Sequence, residues 1–271
     1  MAGTLVKGYQ IIDLLGRGAS SEVYKARKIP SGQVVALKVV RRGSPGSARY
    51  FKQIENEFRI ARAWEHPNLV RLYEIVASRL LFVKLQVVLA MEYVPGRPLK
   101  GGGDLTAPRI IDTCIQLCDG LGYMHAQGYI HLDMKPQNVI VTPEGKAKIM
   151  DFGLCMRKGR YNARLQGTPD FMAPEQMRRG WVDERTDVYN LGATIFHILT
   201  GKSVSGIVGG GSGSGEVFVV PAAFHTLNVE VPPEFESLIF QCCKPSPAER
   251  PATMERVKEE LEDIRAKLPK A

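Results

Sequence analysis

The sequence has no long apolar run: nowhere in its 271 residues is there a stretch approaching the ~18 apolar residues that a membrane helix needs. Its five cysteines lack the C-x-x-C spacing typical of zinc ribbons and redox motifs. The start of the chain also lacks the pattern of a secretory signal. We therefore expect a protein without a membrane segment, located in the reducing cytoplasm.

The charge is unbalanced but not concentrated. The chain has 36 basic and 28 acidic residues, a formal net charge of +8. Such an excess is compatible with nucleic-acid binding. However, the basic residues are spread along the chain, without interleaved aromatic residues or a recognisable nucleic-acid motif, so we expect no nucleic-acid partner and interpret most of the charge as solvated surface.

The most informative segment is His131–Asn138, His-Leu-Asp-Met-Lys-Pro-Gln-Asn, which is followed by Asp151-Phe152-Gly153. Asp133 can accept a proton from an acceptor hydroxyl, and Lys135 can reach a transferring phosphate from the same loop. Asn138 and Asp151 offer the oxygen ligands that Mg2+ prefers, with Mn2+ as an alternative. Together these groups predict phosphoryl transfer, which depends mainly on alignment and charge neutralisation.

Two short apolar segments lie between these motifs. Val139–Val141 and Ala147–Met150 are predicted to form strands joined by a turn at Pro143-Glu144-Gly145. A hairpin of this kind would bring Asn138 and Asp151 together.

A glycine-containing turn precedes these motifs. Gly16-Arg17-Gly18-Ala19-Ser20-Ser21 lies between two predicted strands, Ile11–Leu15 and Glu22–Ala26, although Ser21 replaces the third glycine of the G-x-G-x-x-G pattern. With the motifs above, in this order, the chain resembles a eukaryotic-type (Hanks-type) serine/threonine protein kinase catalytic domain, in the style of its bacterial branch. The resemblance implies an α+β bilobal fold with a nucleotide cleft where the lobes meet.

The resemblance also implies a set of nucleotide contacts. Lys38, in Val-Ala-Leu-Lys, would contact the α- and β-phosphates and pair with Glu57, whereas Glu55 would point to a different helix face. Met91 would be the gatekeeper, and the backbones of Glu92 and Val94 would pair with adenine. The remaining implied contacts are the turn residues Gly16, Gly18 and Ser21 and the apolar residues Val23, Ala36 and Ile140.

Motifs in the second half of the chain distinguish protein kinases from small-molecule kinases. Gly167–Glu175 resembles the loop that receives the peptide, and Asp187 the residue that anchors the catalytic-loop backbone. Arg250 would pair with Glu175. Lys135 and Thr168 resemble the serine/threonine rather than the tyrosine pattern.

The activation segment, residues 151–175, departs from the family pattern. Leu132 occupies the position where the family usually has an Arg that binds a phosphorylated residue, and the segment's hydroxyl groups are confined to Tyr161 and Thr168. We therefore predict activity without phosphorylation of this segment. Its basic residues would favour acidic substrates or form a solvated face; they are Arg157, Lys158, Arg160 and Arg164.

The periodicity predicts an N-terminal lobe at residues 1–94, a small sheet with one helix, and a mainly helical C-terminal lobe at residues 95–271. The predicted helices are Ala48–Trp64, Ala107–Gln127, Asp183–Thr200, Pro233–Cys243 and Thr253–Leu268. The Gly/Ser tract at residues 209–215 is interpreted as an engineered flexible linker, with a natural glycine-rich insert as the alternative. The chain as a whole is expected to be the catalytic region of a longer protein.

The expected function is ATP-dependent phosphorylation of Ser or Thr residues in proteins. Two alternatives remain. A pseudokinase-like ATP-binding scaffold is compatible with the departures at Ser21 and Leu132, and a small-molecule kinase is disfavoured by the peptide-loop motifs.

Overall fold

The computed structural model describes residues 3–18, 20–43, 46–100, 106–162, 166–204 and 229–269. The chain divides into two compact units, residues 1–95 with 151–153 and residues 96–150 with 154–271. In the described ranges no helix is both long and apolar enough to cross a membrane. The Gly/Ser tract 209–215 and Arg164 lie outside the described residues.

The first unit is built on a six-stranded antiparallel sheet. Its strands are β1 (Leu5–Val6), β2 (Tyr9–Arg17), β3 (Ser21–Lys28), β4 (Val34–Arg41), β5 (Leu72–Leu80) and β6 (Val83–Glu92). They are ordered β1-β2-β3-β4-β6-β5. Apolar side chains alternate along β2 to β4, so that Tyr9, Ile11 and Leu37 share one buried cluster. The strands predicted on either side of the glycine turn are confirmed.

One helix, α1 (Ser47–Ala61), accompanies this sheet and confirms the predicted helix at 48–64 to within a few residues. Its buried positions recur every three to four residues and include Phe51, Ile54 and Ile60. Glu57 lies on the same buried face and is only 1% exposed. A carboxylate buried among apolar residues needs a partner, which marks this position for function.

The second unit is mainly helical. Within the described ranges its helices are α2 (Ala107–Ala126), α3 (Pro174–Met177), α4 (Glu184–Thr200), α5 (Pro233–Cys242) and α6 (Met254–Ala266). Its short strands are β7 (Arg97–Pro98), β8 (Tyr129–Ile130), β9 (Val139–Val141), β10 (Ala147–Ile149), β11 (Met156–Arg157), β12 (Arg160–Tyr161) and β13 (Trp181–Val182). A sheet with one main helix followed by a helical unit confirms the predicted α+β bilobal class.

Helix α4 is the core of the second unit. It begins after Asp183, whose carboxylate accepts a hydrogen bond from the Arg185 N–H at 2.9 Å, and ends at Gly201, which has a φ of 66°. Nearly all of its residues are buried, as expected of a helix surrounded by other elements.

Two helical glycines of this unit give a matched stability test. A Cβ on Gly192 of α4 would lie 2.7 Å from the Cys242 Cβ, whereas one on Gly122 of α2 would lie 3.8 Å from the Met254 Cβ. We expect Gly192→Ala to lower the free energy of unfolding by about 1–3 kcal/mol through overpacking. Gly122→Ala should instead raise it by up to ~1 kcal/mol, because alanine favours helix. Chemical denaturation measures both; equal effects of the two substitutions would contradict the packing argument.

Candidate active site

Three charged side chains of the first unit meet around one ammonium group. Lys38, on β4, places Nζ 2.9 Å from Glu57 Oε2 and 2.9 Å from Asp151 Oδ1. Glu55, two residues earlier on α1, contacts Lys84 instead. The other Glu57 oxygen accepts a hydrogen bond from the Phe152 N–H at 3.1 Å. Helix α1 is thereby tied to both β4 and the Asp-Phe-Gly motif.

The environment of this triad keeps Lys38 charged. Burial alone would lower the Lys38 pKa, but the carboxylates of Asp151 and Glu57 outweigh it, and the pKa lies above its ordinary value. Burial raises the pKa of Glu57, opposed by Lys38 and by the Phe152 N–H. The Asp151 side chain is 30% exposed, the most accessible of the three, and Lys38 is 14% exposed. A cation held ready beside an accessible carboxylate suits the binding of phosphate and metal.

A second constellation, in the second unit, surrounds the carboxylate of Asp133. Oδ2 accepts from Lys135 Nζ at 2.7 Å, and Oδ1 accepts from the Thr168 N–H at 3.1 Å and hydroxyl at 3.2 Å. Lys135 Nζ also donates to Thr168 Oγ1 at 2.8 Å. Carboxylate, ammonium and hydroxyl thus form a closed ring of hydrogen bonds, with Lys135 partly exposed. Sequence reasoning placed Asp133 and Lys135 in the site but did not predict that Thr168 links them.

Asn138 supports Asp133 and is oriented to use its oxygen elsewhere. Its Nδ2 donates to the Asp133 carbonyl at 2.8 Å and to Asp133 Oδ2 at 3.1 Å, and both partners are acceptors, which fixes the orientation of the amide. Within the described part of the chain, the Asn138 side chain makes these two hydrogen bonds, both through Nδ2. Its Oδ1 is therefore available to a cation. The Asn138 carbonyl also accepts from the Met150 N–H at 2.8 Å. The hairpin of β9 and β10 is confirmed, and Met150 alone separates its end from Asp151.

These donors fit a hard divalent cation. Asn138, in the second unit, offers its Oδ1, and Asp151, in the first unit, offers its carboxylate; each is an oxygen ligand of the kind that Mg2+ prefers. Among the described residues there is also no cluster of three or more His, Cys, Asp or Glu that could hold a metal by itself. A cation bound at either residue would therefore need further oxygens, such as those of phosphates.

The backbone of the catalytic loop is held by Asp187. Its carboxylate accepts from the N–H groups of His131 at 2.8 Å and Leu132 at 2.9 Å, as predicted, and it contacts His125 Nε2 at 2.8 Å. Burial opposes ionisation of Asp187, but the contact with His125 and the nearby His131 hold its pKa below the ordinary value. His131 braces the loop in turn, because its Nδ1 accepts from the Asp133 N–H at 3.2 Å.

Leu132 occupies an apolar environment. It is 5% exposed and packs in a cluster with Ile130 and Val182, and Met156 lies against that cluster. Its φ of 66° is in the left-handed region, which is costly for a residue with a Cβ, so the neighbouring contacts must hold it there. The Leu132 carbonyl accepts from Gln176 Nε2 at 2.9 Å.

The residues predicted to contact the nucleotide divide between the units. In the first unit, the Gly18 N–H donates to the Ser21 carbonyl at 2.8 Å, which closes the glycine turn, and Gly16 pairs with Val23 in the sheet register. Ala36 is the register partner of Met91, and both are buried.

A backbone hydrogen bond limits how Glu92 could pair with adenine. The N–H of Glu92 donates to the Arg71 carbonyl at 2.8 Å, so pairing of the Glu92 backbone with adenine would use its carbonyl oxygen. Val94 is buried in the first unit. Ile140 belongs to the second unit, on β9, where it is the register partner of Lys148 and Pro98.

The loop at 167–175 is fixed at its end by a buried ion pair. Arg250 Nη1 and Nη2 donate to the two oxygens of Glu175 at 2.7 and 2.9 Å, which confirms the predicted pair. Asn190 Nδ2 donates to the Phe171 carbonyl at 2.6 Å and to Gln176 Oε1 at 2.8 Å. Sequence reasoning missed this amide network; a polar residue in the middle of an otherwise apolar core helix was the available signal.

Comparison with known proteins agrees with this geometry. A family model for the protein kinase domain matches residues 9–261. The chain is 32% identical over 203 residues to serine/threonine-protein kinase PknB of Mycobacterium leprae, an alignment covering 72% of this chain and 32% of that protein. It is 33% identical over 209 residues to CBL-interacting protein kinase 5 of Oryza sativa subsp. japonica, covering 74% of this chain and 44% of the relative. The chain thus spans less than half the length of these curated relatives.

Proposed function

Because this chain belongs to the protein kinase family, we propose that it transfers the γ-phosphoryl group of ATP to serine or threonine hydroxyls of protein substrates. The observation that carries the proposal is the hydrogen-bonded ring of Asp133, Lys135 and Thr168. In this ring Asp133 is the base, Lys135 the cation and Thr168 the hydroxyl that positions them.

In this proposal Asp133 receives the proton of the acceptor hydroxyl. Its carboxylate is already held on both oxygens, by Lys135 on one side and Thr168 on the other, so little reorganisation is needed when an acceptor hydroxyl arrives. Lys135, whose ammonium lies 2.7 Å from Asp133 Oδ2, would stabilise negative charge on the phosphoryl oxygens. The acceptor hydroxyl replaces one of the donors that now contact Asp133.

Lys38 and Glu57 form the phosphate-positioning pair. Glu57 fixes the Lys38 ammonium, and Lys38 in turn binds phosphate oxygens of the nucleotide. Asn138 and Asp151 would hold the divalent ion, Mg2+ or alternatively Mn2+, which neutralises charge on the phosphates when bound. The glycine turn closed by Gly18 and Ser21 would cover those phosphates.

The proposal extends to the class of substrate and to the cellular location of the activity. The substrate is a protein, because residues 167–175 resemble a peptide-receiving loop and are anchored by the Glu175–Arg250 pair. We place the activity in the cytoplasm, since the five cysteines are buried free thiols suited to a reducing compartment. A role in signalling belongs to the proposal because phosphorylation changes the charge and contacts of its protein target.

Activity should not depend on phosphorylation of the activation segment. Leu132 packs against apolar neighbours where a phosphate-binding Arg would be needed, and the Thr168 hydroxyl is engaged by Lys135 and Asp133. We expect enzyme dephosphorylated by a phosphatase, and verified by mass spectrometry, to keep its turnover within about twofold. A tenfold or greater loss, restored by rephosphorylation, would contradict this expectation.

The direct test of the proposed function is transfer of radiolabel from ATP with Mg2+ to a generic protein substrate, with phosphoamino-acid analysis of the product. Label on serine or threonine supports the proposal. Nucleotide binding measured by calorimetry, without transfer to any protein, would instead indicate an ATP-binding scaffold. Transfer confined to small hydroxylated molecules would indicate a small-molecule kinase.

A further inference from the structure

The start of the activation segment forms one wall of an open groove in the second unit. This groove, which we call the activation-segment groove, lies between Gly128, residues 157–161 and Trp181 and has a volume of about 720 Å3. Strand β12 (Arg160–Tyr161) pairs with β13 (Trp181–Val182) along it. None of its residues contributes to the phosphoryl-transfer site described above. A volume of this size is typical of ligand-binding clefts.

Aromatic rings provide the apolar part of the groove. Trp181 and Tyr161 are 53% and 69% exposed and pack edge to face, with ring centroids 5.4 Å apart. A Cβ at Gly159 would come within 3.3 Å of the Trp181 ring, and its φ of 69° also favours glycine. Exposed tryptophan, tyrosine and arginine are the residue types that dominate binding energy at protein interfaces.

The cations around these rings are incompletely neutralised. Lys158 is paired with Glu184 at 2.6 Å, and the nearby Asp183 is paired with Arg185 at 2.7 Å. Arg157 and Arg160 are exposed and have no carboxylate partner among the described residues. The Arg157 guanidinium lies over the Tyr129 ring, 5.4 Å from its centroid, which restrains it without removing its charge. The groove therefore presents two available positive charges beside two apolar rings.

We propose that the activation-segment groove is a docking site for an acidic peptide segment of a protein partner. Carboxylates of the peptide would pair with Arg157 and Arg160, and an apolar side chain would pack against Trp181. A single-stranded nucleic acid fits less well, because the edge-to-face rings do not form a stacking platform and only two charges are available. Peptide docking goes beyond the proposed function, because it requires no phosphoryl transfer.

The test measures binding of a dye-labelled Glu-rich peptide with one leucine, and of its Gln-substituted twin, by fluorescence anisotropy. We expect the acidic peptide alone to bind, with affinity falling as salt rises. The double variant Arg157→Gln/Arg160→Gln should weaken binding by about tenfold or more. The matched control Lys202→Gln/Lys244→Gln removes two exposed charges of the same unit and should change binding by less than about twofold.

Two further measurements isolate the site. Trp181→Phe should weaken binding of the acidic peptide, and thermal unfolding should show both groove variants to be folded. Asp133→Asn should bind the peptide like the wild type, so that a failure of catalysis is distinguishable from a failure of docking. Equal losses in the two double variants, equal binding of the Gln twin, or tighter binding of a labelled oligonucleotide would overturn the proposal.

Discussion

Asp133→Asn is expected to lower the turnover number for phosphoryl transfer by about 10²–10⁴-fold, the usual contribution of a general base. The amide cannot accept the proton of the acceptor hydroxyl. It also disturbs the ring of hydrogen bonds, because every group that now contacts the Asp133 carboxylate is a donor: Lys135, Asn138, and both the N–H and the hydroxyl of Thr168. Steady-state kinetics with a generic Ser/Thr substrate measures the loss.

The orientation of the new amide can be anticipated. An NH2 group facing Lys135 and Asn138 would meet two donors, so Nδ2 should turn toward Thr168, whose hydroxyl can accept while its N–H loses a partner. This costs about 1–3 kcal/mol of stability, which leaves a large protein folded. ATP binding, measured by calorimetry, should change little, since Lys38, the proposed phosphate ligand, is held by Glu57 and Asp151 and not by Asp133.

The matched control is Asp263→Asn, the same substitution at an exposed position of α6. It should leave turnover unchanged. If Asp133→Asn retained more than about a tenth of wild-type turnover, the proton would have to go elsewhere and Asp133 would not be the base.

The fold could be predicted largely from motifs and periodicity, because buried strands and helices carry a repeating apolar signal. Helix α4 was predicted to start at Asp183, which proves to be its N-terminal cap. Apolar content alone does not mark the core: Leu81 and Phe82, at the turn between β5 and β6, are 86% and 99% exposed, and burial in β6 begins only at Val87. A run of apolar residues therefore does not show where a strand enters the core.

Of the contacts in the candidate site, some were predicted from the family resemblance and others had no signal in the sequence. The Glu175–Arg250 contact links residues 75 apart in sequence, so no spacing argument reaches it, and only the family resemblance predicted it. The link from Lys135 through Thr168 to Asp133 depends on where residues 167–168 return in space, which local sequence does not encode. The groove at Trp181 is harder still, because Trp181 lies twenty residues beyond Tyr161 and carries no motif.

Arg250→Met is expected to lower the free energy of unfolding by about 3–5 kcal/mol, the usual cost of breaking a buried ion pair by removing one partner. The Arg250 side chain is fully buried, and all five of its N–H donors are used. Two bonds go to Glu175 and three to the carbonyls of Lys244, Arg185 and Pro245. The guanidinium also lies over the Tyr189 ring, 4.9 Å from its centroid.

The cost arises mainly from the groups that Arg250 leaves behind. Methionine fills similar volume, but among the described residues the Glu175 carboxylate keeps one donor, the Thr186 hydroxyl at 2.9 Å, and three carbonyls lose a donor. Arg256→Met is the matched control. Arg256 pairs with Glu259 and with Glu260, each at 3.1 Å, but its side chain is 59% exposed, so the loss should be below ~1 kcal/mol. Adding Glu175→Gln to Arg250→Met should recover part of the stability, because no unpaired charge remains buried. Chemical denaturation of the wild type and the three variants measures these free energies of unfolding. If Arg250→Met lost no more stability than Arg256→Met, the buried pair would have no structural role.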